Sequence, residues 1–268
     1  MMGSIFLFST NTATYLAMYY LPFYFLAVKG FPAIQSGVSF IAMALPQLVG
    51  IVVSGALISK LGVYVPVIII GQIIAAVGAG LLIMLVLAQV RSTVAWAAFL
   101  VILGLGPGIG INAPHLAIQA VFDEYVVQSP RLIPNSEGDV SVANGIATFC
   151  SQLGESISVS AAGALLTNTL LYEIPHRTMA VNPQKVIHAG PFDLYSLALS
   201  SSVLDALRTA YSIAISHIFI LATTFVVVSI PFVCGMRWIN LNHISKEREL
   251  AKSENTAKRE TESVQETR

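Results

Sequence analysis

The chain has 268 residues, of which 55% are hydrophobic and only 10% charged, with a formal net charge of zero. Ordinary soluble domains carry about 25% charged residues, so this surface is not built for water. The neutral balance excludes nucleic acid, whose binding depends on clustered Lys and Arg, and a mean hydropathy of +0.76 points to a bilayer.

The first four charged residues are Lys29, Lys60, Arg91 and Asp123, spaced 31, 31 and 32 apart, with none before Lys29. A membrane-spanning helix needs about 20 mostly apolar residues and a connecting turn a few more. The spacing therefore predicts four consecutive spans, at about 4–28, 37–59, 66–89 and 94–121, with a charge marking each turn. Met1-Met2-Gly3-Ser4 carries no basic residue and the apolar stretch runs on to Val28, longer than a signal-peptide core, so the first span is expected to be retained. A fifth span over 141–171 is less apolar and contains Glu155, whereas a sixth over 210–236 is uncharged from Thr209 to Met236.

Two longer connections, 122–140 and 172–209, hold prolines and charges, and 193–208 could form an amphipathic helix on the membrane surface. From residue 241 a polar tail of mixed charge begins. The predicted architecture is an all-α membrane protein, a six-helix transmembrane bundle over 1–240 followed by this tail. Seven Lys/Arg from Arg237 onward favour a cytosolic C-terminus, and six spans put the N-terminus on the same side. The loops alone weigh weakly the other way.

Glu155 is the most informative single residue. An ionised carboxylate inside a bilayer costs several kcal/mol, so such residues usually face a cavity, a partner or a proton path. Asn144, Thr148, Ser151, Glu155 and Ser158 recur at helical spacing, with Gln152 beside them, and Ile146, Phe149, Leu153, Ile157 and Ala161 lie opposite. The polar face is expected to point into the protein. Glu155 there is either a proton-binding or cation-recognising carboxylate, since desolvation disfavours its charged form, or a permanently neutral group bonded to Ser151, Ser158 or a neighbouring helix.

The fourth span carries a second stripe, Gly108, Asn112, His115 and Gln119, after a glycine run over 104–110. That run lacks the GxGxxG of a dinucleotide loop. Gly104/Gly108 and Gly106/Gly110 are instead pairs that let helices approach closely. Pro107 and Pro114 would bend or break the helix and free carbonyls toward a cavity. His115 lines that cavity or is a packed, hydrogen-bonded residue. It has no second ligand one turn away, so no metal is expected. Cys150 and Cys234, 84 residues apart without a CxxC, read as packing residues. Weaker polar candidates are Asn11, Tyr15 and Tyr19 on the first span, Gln47, Gln72, and Ser216 with His217. No catalytic constellation stands out, so neither an enzyme nor a cofactor is expected.

Tyr19 to Gly30 (YYLPFYFLAVKG), followed by Gln35-Ser36-Gly37-Val38, and Gly55 to Pro66 (GALISKLGVYVP) resemble segments of the major facilitator superfamily. The glycine run, Pro114, Gln119, Phe149, Leu153-Gly154 and Ala210-Tyr211 extend the resemblance over about residues 5–240. The chain is similar to the C-terminal half of the fourteen-helix drug:proton antiporters common among fungal toxin and multidrug efflux pumps. Glu155 departs from that pattern, which usually has a small residue there. The resemblance implies proton-coupled export of small hydrophobic or amphipathic compounds by alternating access, through a site between two bundles. Only one bundle is present and the antiporter motif belongs to the other. The chain is therefore expected to be a fragment, an inactive half, or a half that pairs with a missing N-terminal one. Glu155, Gln152, Ser151, Asn112, His115 and Gln119 would line the substrate and proton pathway. The expected partners are the lipid bilayer, a small-molecule substrate, protons and that missing half. The plasma membrane is the expected location, the vacuolar membrane the alternative.

Overall fold

The computed structural model describes residues 2–87, 92–111, 136–194 and 200–236, the side chains of 136–140 excepted. Seven helices lie among them: α1 (Met2–Ala27), α2 (Ala33–Leu61), α3 (Val65–Leu87), α4 (Thr93–Gly110), α5 (Ser136–Arg177), α6 (Pro183–Ala189) and α7 (Ser201–Cys234). Three of them, α2, α3 and α4, begin within five residues after Lys29, Lys60 and Arg91 of the sequence. Lys29 follows α1, and Lys60 stands in the last turn of α2. That helix ends at Gly62, whose left-handed φ of 70° lets its N–H reach the Ile58 carbonyl. The last helix starts earlier than the sequence implies. Residues 201–208 are its opening turns, begun by Ser200, whose hydroxyl accepts from Val203 N–H.

Five of these helices, α2, α3, α4, α5 from Ser141 and α7, are long and apolar enough to cross a membrane. The first, although uncharged, is diluted by Ser, Thr, Asn and Tyr. It is also the best shielded, with fifteen of its 26 residues buried, against six of 29 in α2. A helix surrounded by other helices needs no apolar exterior, whereas α2 turns Ile34, Val38, Ile41, Leu45, Leu48 and Val52 outward along one stripe.

Helix contacts interlock two three-helix units. The opening helix of the first unit, α1, packs against α5 and α7 of the second; the opening helix of the second, α4, packs against α2 and α3 of the first. Contacts of α3 and α5 with α7, and of α1 with α2, complete the bundle.

The glycines explain how α4 fits. A Cβ on Gly104 would collide with the Met43 carbonyl oxygen, one on Gly108 with that of Gln47, and one on Gly106 with the backbone of Ala75. Gly78 on α3 and, less tightly, Gly50 on α2 and Gly71 on α3 lie close against α4 in turn. So Gly104 and Gly108 face α2, and Gly106 faces α3. Without these side chains two backbones can meet directly, which maximises dispersion contact where lipid offers no hydrophobic drive between helices. Pro107 sits inside α4 without ending it, and its carbonyl accepts from Ile111 N–H.

Candidate functional site

Polar side chains concentrate around α1. Ser9, Thr10, Asn11, Thr12 and Thr14 are all buried, five of six consecutive positions. Each must find a partner or cost about 1–3 kcal/mol. Thr14 donates to the Thr10 carbonyl, and Asn11 Nδ2 donates both to the Leu7 carbonyl at 3.0 Å and to Ser151 Oγ of α5 at 3.2 Å. Ser151 in turn donates to the Ala147 carbonyl. On the other side Gln72 of α3, fully buried, donates through Nε2 to Thr10 Oγ1 at 3.0 Å. Its Oε1 lies 3.3 Å from Ser229 Oγ of α7. The single Ser229 proton is held more closely by the Val226 carbonyl at 2.6 Å, so Gln72 takes the weaker arm. Thr10, Gln72 and Ser229 thus tie α1, α3 and α7 together in the middle of an apolar bundle.

Among the described residues Ser9 makes no side-chain hydrogen bond, and Thr12 is the clearest exception. Its hydroxyl is buried and has no hydrogen-bond partner among the described residues. It abuts Gly154 of α5, where an added Cβ would stand 2.7 Å from it.

The long α5 presents three sectors. Ala147, Ser151, Gly154, Ser158 and Ala162 are buried at intervals of three and four residues, the small side chains that a close contact with α1 requires. Val142, Ile146, Phe149, Leu153 and Ile157 are exposed and apolar. Between these lie Thr148, Gln152 and Ser156, exposed, and Glu155, half-buried. The polar face expected to point inward is therefore split. Ser151 and Ser158 turn toward α1, whereas the longer Gln152 and Glu155 are pushed to the flank, because the seam has no room for them.

The Glu155 carboxylate has no hydrogen bond or ion pair among the described residues. Neither serine of its own helix neutralises it. Ser151 donates to Ala147, and Ser158 donates to the Glu155 backbone carbonyl at 2.7 Å. Contacts of Asn11 with Ser151, of Thr12 with Gly154 and of Tyr20 with Gly163 show that α1 and α5 run parallel. That register sets Glu155 level with residues 12–15 of α1. On the same face of α1, one and two turns above Asn11, Tyr15 and Tyr19 are exposed, and Tyr19 stacks on Phe23 at 5.4 Å between ring centroids. The Glu155 carboxylate and the exposed phenols of Tyr15 and Tyr19 thus belong to two helices in direct contact. A carboxylate without a protein partner can hold a proton or a cation.

Of the residues singled out in the sequence, Ser151, Gln152 and Glu155 fall on neighbouring positions of this one helix. Asn112, His115 and Gln119 lie outside the described residues. The Thr10–Gln72–Ser229 tie and the partnerless Thr12 were not anticipated. Their signal was the run Ser9 to Thr14, too polar for a helix facing lipid.

No family model matches the chain and no solved structure matches it. Curated relatives do. Over 239 residues, 89% of the chain and 40% of the relative, it is 30% identical to the MFS-type transporter astH of Aspergillus oryzae. It is 33% identical over 222 residues, 83% of its length, to the MFS-type transporter pigP of Monascus ruber, covering 36% of that protein. It is 29% identical over 231 residues, 86% of its length, to the aspyridones efflux protein of Neocamarosporium betae, covering 38% of that protein. The chain thus spans about two fifths of the length of the relatives it matches.

Proposed function

We propose that this chain, a homologue of fungal MFS-type transporters and efflux pumps, is the C-terminal six-span bundle of a secondary active transporter that exports small hydrophobic or amphipathic compounds in exchange for protons. The observation that carries this reading is the outward polar flank of α5. An ionisable residue on a span does not face hydrocarbon. With its own bundle closed to it by the glycine–serine seam, Glu155 faces water or a second bundle. A path between two bundles supplies both, and Tyr15 and Tyr19 give it aromatic walls suited to apolar cargo. Alternating access would then rock the second bundle against this face. Asn112, His115 and Gln119, which continue the polar spacing of the α4 sequence, belong to the same path in this reading. Both termini are placed in the cytosol on the seven Lys/Arg from Arg237 onward, and the plasma membrane is inferred from the resemblance to export pumps.

Glu155→Gln keeps the size of the side chain and removes its proton exchange. In membranes energised by a pH gradient, the transporter containing this substitution is expected to lose at least tenfold in export rate at unchanged membrane abundance. Export that is unaltered at every pH would remove Glu155 from the coupling mechanism. The partial coverage of the relatives favours a second reading, a half-transporter that is inert alone or works only with a second half. Export by the 268-residue chain alone in proteoliposomes would contradict it.

A further inference from the structure

Two groups at one level of the α1–α5 contact lack partners among the described residues, and they are chemically complementary. One is the Thr12 hydroxyl of α1, on a residue only 2% exposed. The other is the half-buried Glu155 carboxylate of α5. Gly154 lies between them. Thr12 Oγ1 stands 2.7 Å from the point that a Cβ on Gly154 would occupy, and the Phe8 carbonyl oxygen stands 2.8 Å from the same point. Consecutive Cα atoms are about 3.8 Å apart, which puts that hydroxyl within about 8 Å of the Glu155 Cα. An extended glutamate side chain with one O–H···O hydrogen bond spans about that distance. The seam has no room for the whole side chain, but the carboxyl tip need only reach its edge.

Charge decides whether it goes there. Burying an ionised carboxylate costs far more than burying a neutral one, so ionised Glu155 stays on the flank. The helices packed on α5 offer no cation at this level to hold the charge in the seam. Helix α1 has no charged residue, and its titratable groups are tyrosines, with Tyr15 nearest this level. On α7, His217 is the one titratable side chain between Ser212 and Val233, and it is exposed. Asp205 and Arg208 of α7 and Lys185 and His188 of α6 belong to the end where Val186 and Leu207 pack on Leu170 and Ile174, about 20 Å further along α5.

We propose that Thr12 is the internal partner of protonated Glu155. On taking a proton from the aqueous path, the carboxyl turns from the flank to the edge of the seam. Its O–H donates to Thr12 Oγ1, whose own proton turns to the Phe8 carbonyl. Return of the proton to water reverses these steps, and the carboxyl O–H is the one covalent bond made and broken. One hydrogen bond between α1 and α5 then exists in one protonation state only, and a bound proton can shift a conformational equilibrium only through such a difference. Thr12 is thus a positioning residue that acts through Glu155. The inference rests on the reading of Glu155 as the transporter's proton site.

The carbonyl stretch of protonated Glu155 reports this bond without any transport. Infrared difference spectra between high and low pH, recorded on the full chain in lipid, are expected to contain that band, and Glu155→Gln identifies it by removing it. Thr12→Val should move the band to higher wavenumber, as a carboxyl does on losing a hydrogen bond, and Thr12→Ser should leave it in place. Thr12→Ala gives the same reading should valine fail to pack. A band that stays in place in these two variants overturns the proposal. So does a spectrum from which Glu155→Gln removes nothing at any pH, since the bond needs a protonated Glu155. The transport reading fails separately: export unaltered in Glu155→Gln, with the band shift intact, leaves the Thr12 bond standing and takes away its role in coupling.

Discussion

The helices α1 and α4 hold matching places, each gripped by two helices of the other three-helix unit, yet opposite chemistry holds them. The glycines of α4 bring its backbone against α2 and α3, so that seam consists of dispersion contacts and has no tolerance for added volume. Over residues 9–14, by contrast, α1 is joined to α5 and α3 by hydrogen bonds from Asn11 and to Thr10, with the Thr12 hydroxyl left without a partner among the described residues, while the rest of the helix packs mainly through apolar side chains. A glycine seam can only be made or broken. Hydrogen bonds can be exchanged between partners at modest cost, about 0.6 kcal/mol on average between membrane helices. The difference places rigidity on the α2–α4–α3 side and adjustability on the side that carries Glu155.

Substitutions can test that contrast, and the largest effect is expected in the glycine seam. Gly104→Leu should abolish folding, because its Cβ alone already collides with the Met43 carbonyl oxygen and overpacking by even small groups costs about 1–3 kcal/mol. Gly55→Ala, where nothing stands within 4 Å, should be close to neutral. Monodisperse elution and thermal unfolding in detergent would read both, and equal behaviour of the two would break the comparison. Gln72→Leu should come next, lowering stability by about 1 kcal/mol through loss of its bonds to Thr10 and Ser229. The smallest effect has the opposite sign. Thr12→Val keeps the shape and removes a buried hydroxyl that has no partner, so it should leave thermal stability unchanged or raise it. A clear loss in Thr12→Val would mean that the hydroxyl is in use and that the α1 contacts are as exacting as those of α4.

Much of this scaffold is legible in the sequence because a bilayer forces simple rules. Charges must sit at turns, so Lys29 and Lys60 locate the ends of α1 and α2, and glycines four apart must lie on one face, so Gly104 and Gly108 fall together. Less could be read for α5. Periodicity reveals that Ser151, Gln152 and Glu155 share a broad polar side, but not which part of that side a neighbour covers. The division came from side-chain size, with serine and glycine accepted into the α1 contact and glutamine and glutamate excluded. The α1–α3–α7 tie was hidden for another reason. Thr10, Gln72 and Ser229 are 62 and 157 residues apart in sequence, and no local pattern joins them.

Thiol accessibility along α5 tests the central claim most directly. With Cys150 and Cys234 replaced by serine, single cysteines at Gln152 and at Ile157 would be exposed in native membranes to a charged, water-soluble thiol reagent. If the flank lines an aqueous path, Gln152→Cys reacts at least tenfold faster than Ile157→Cys in the exposed apolar sector. Equal, slow reaction at both positions would put Gln152 in hydrocarbon or in dry protein and contradict the account.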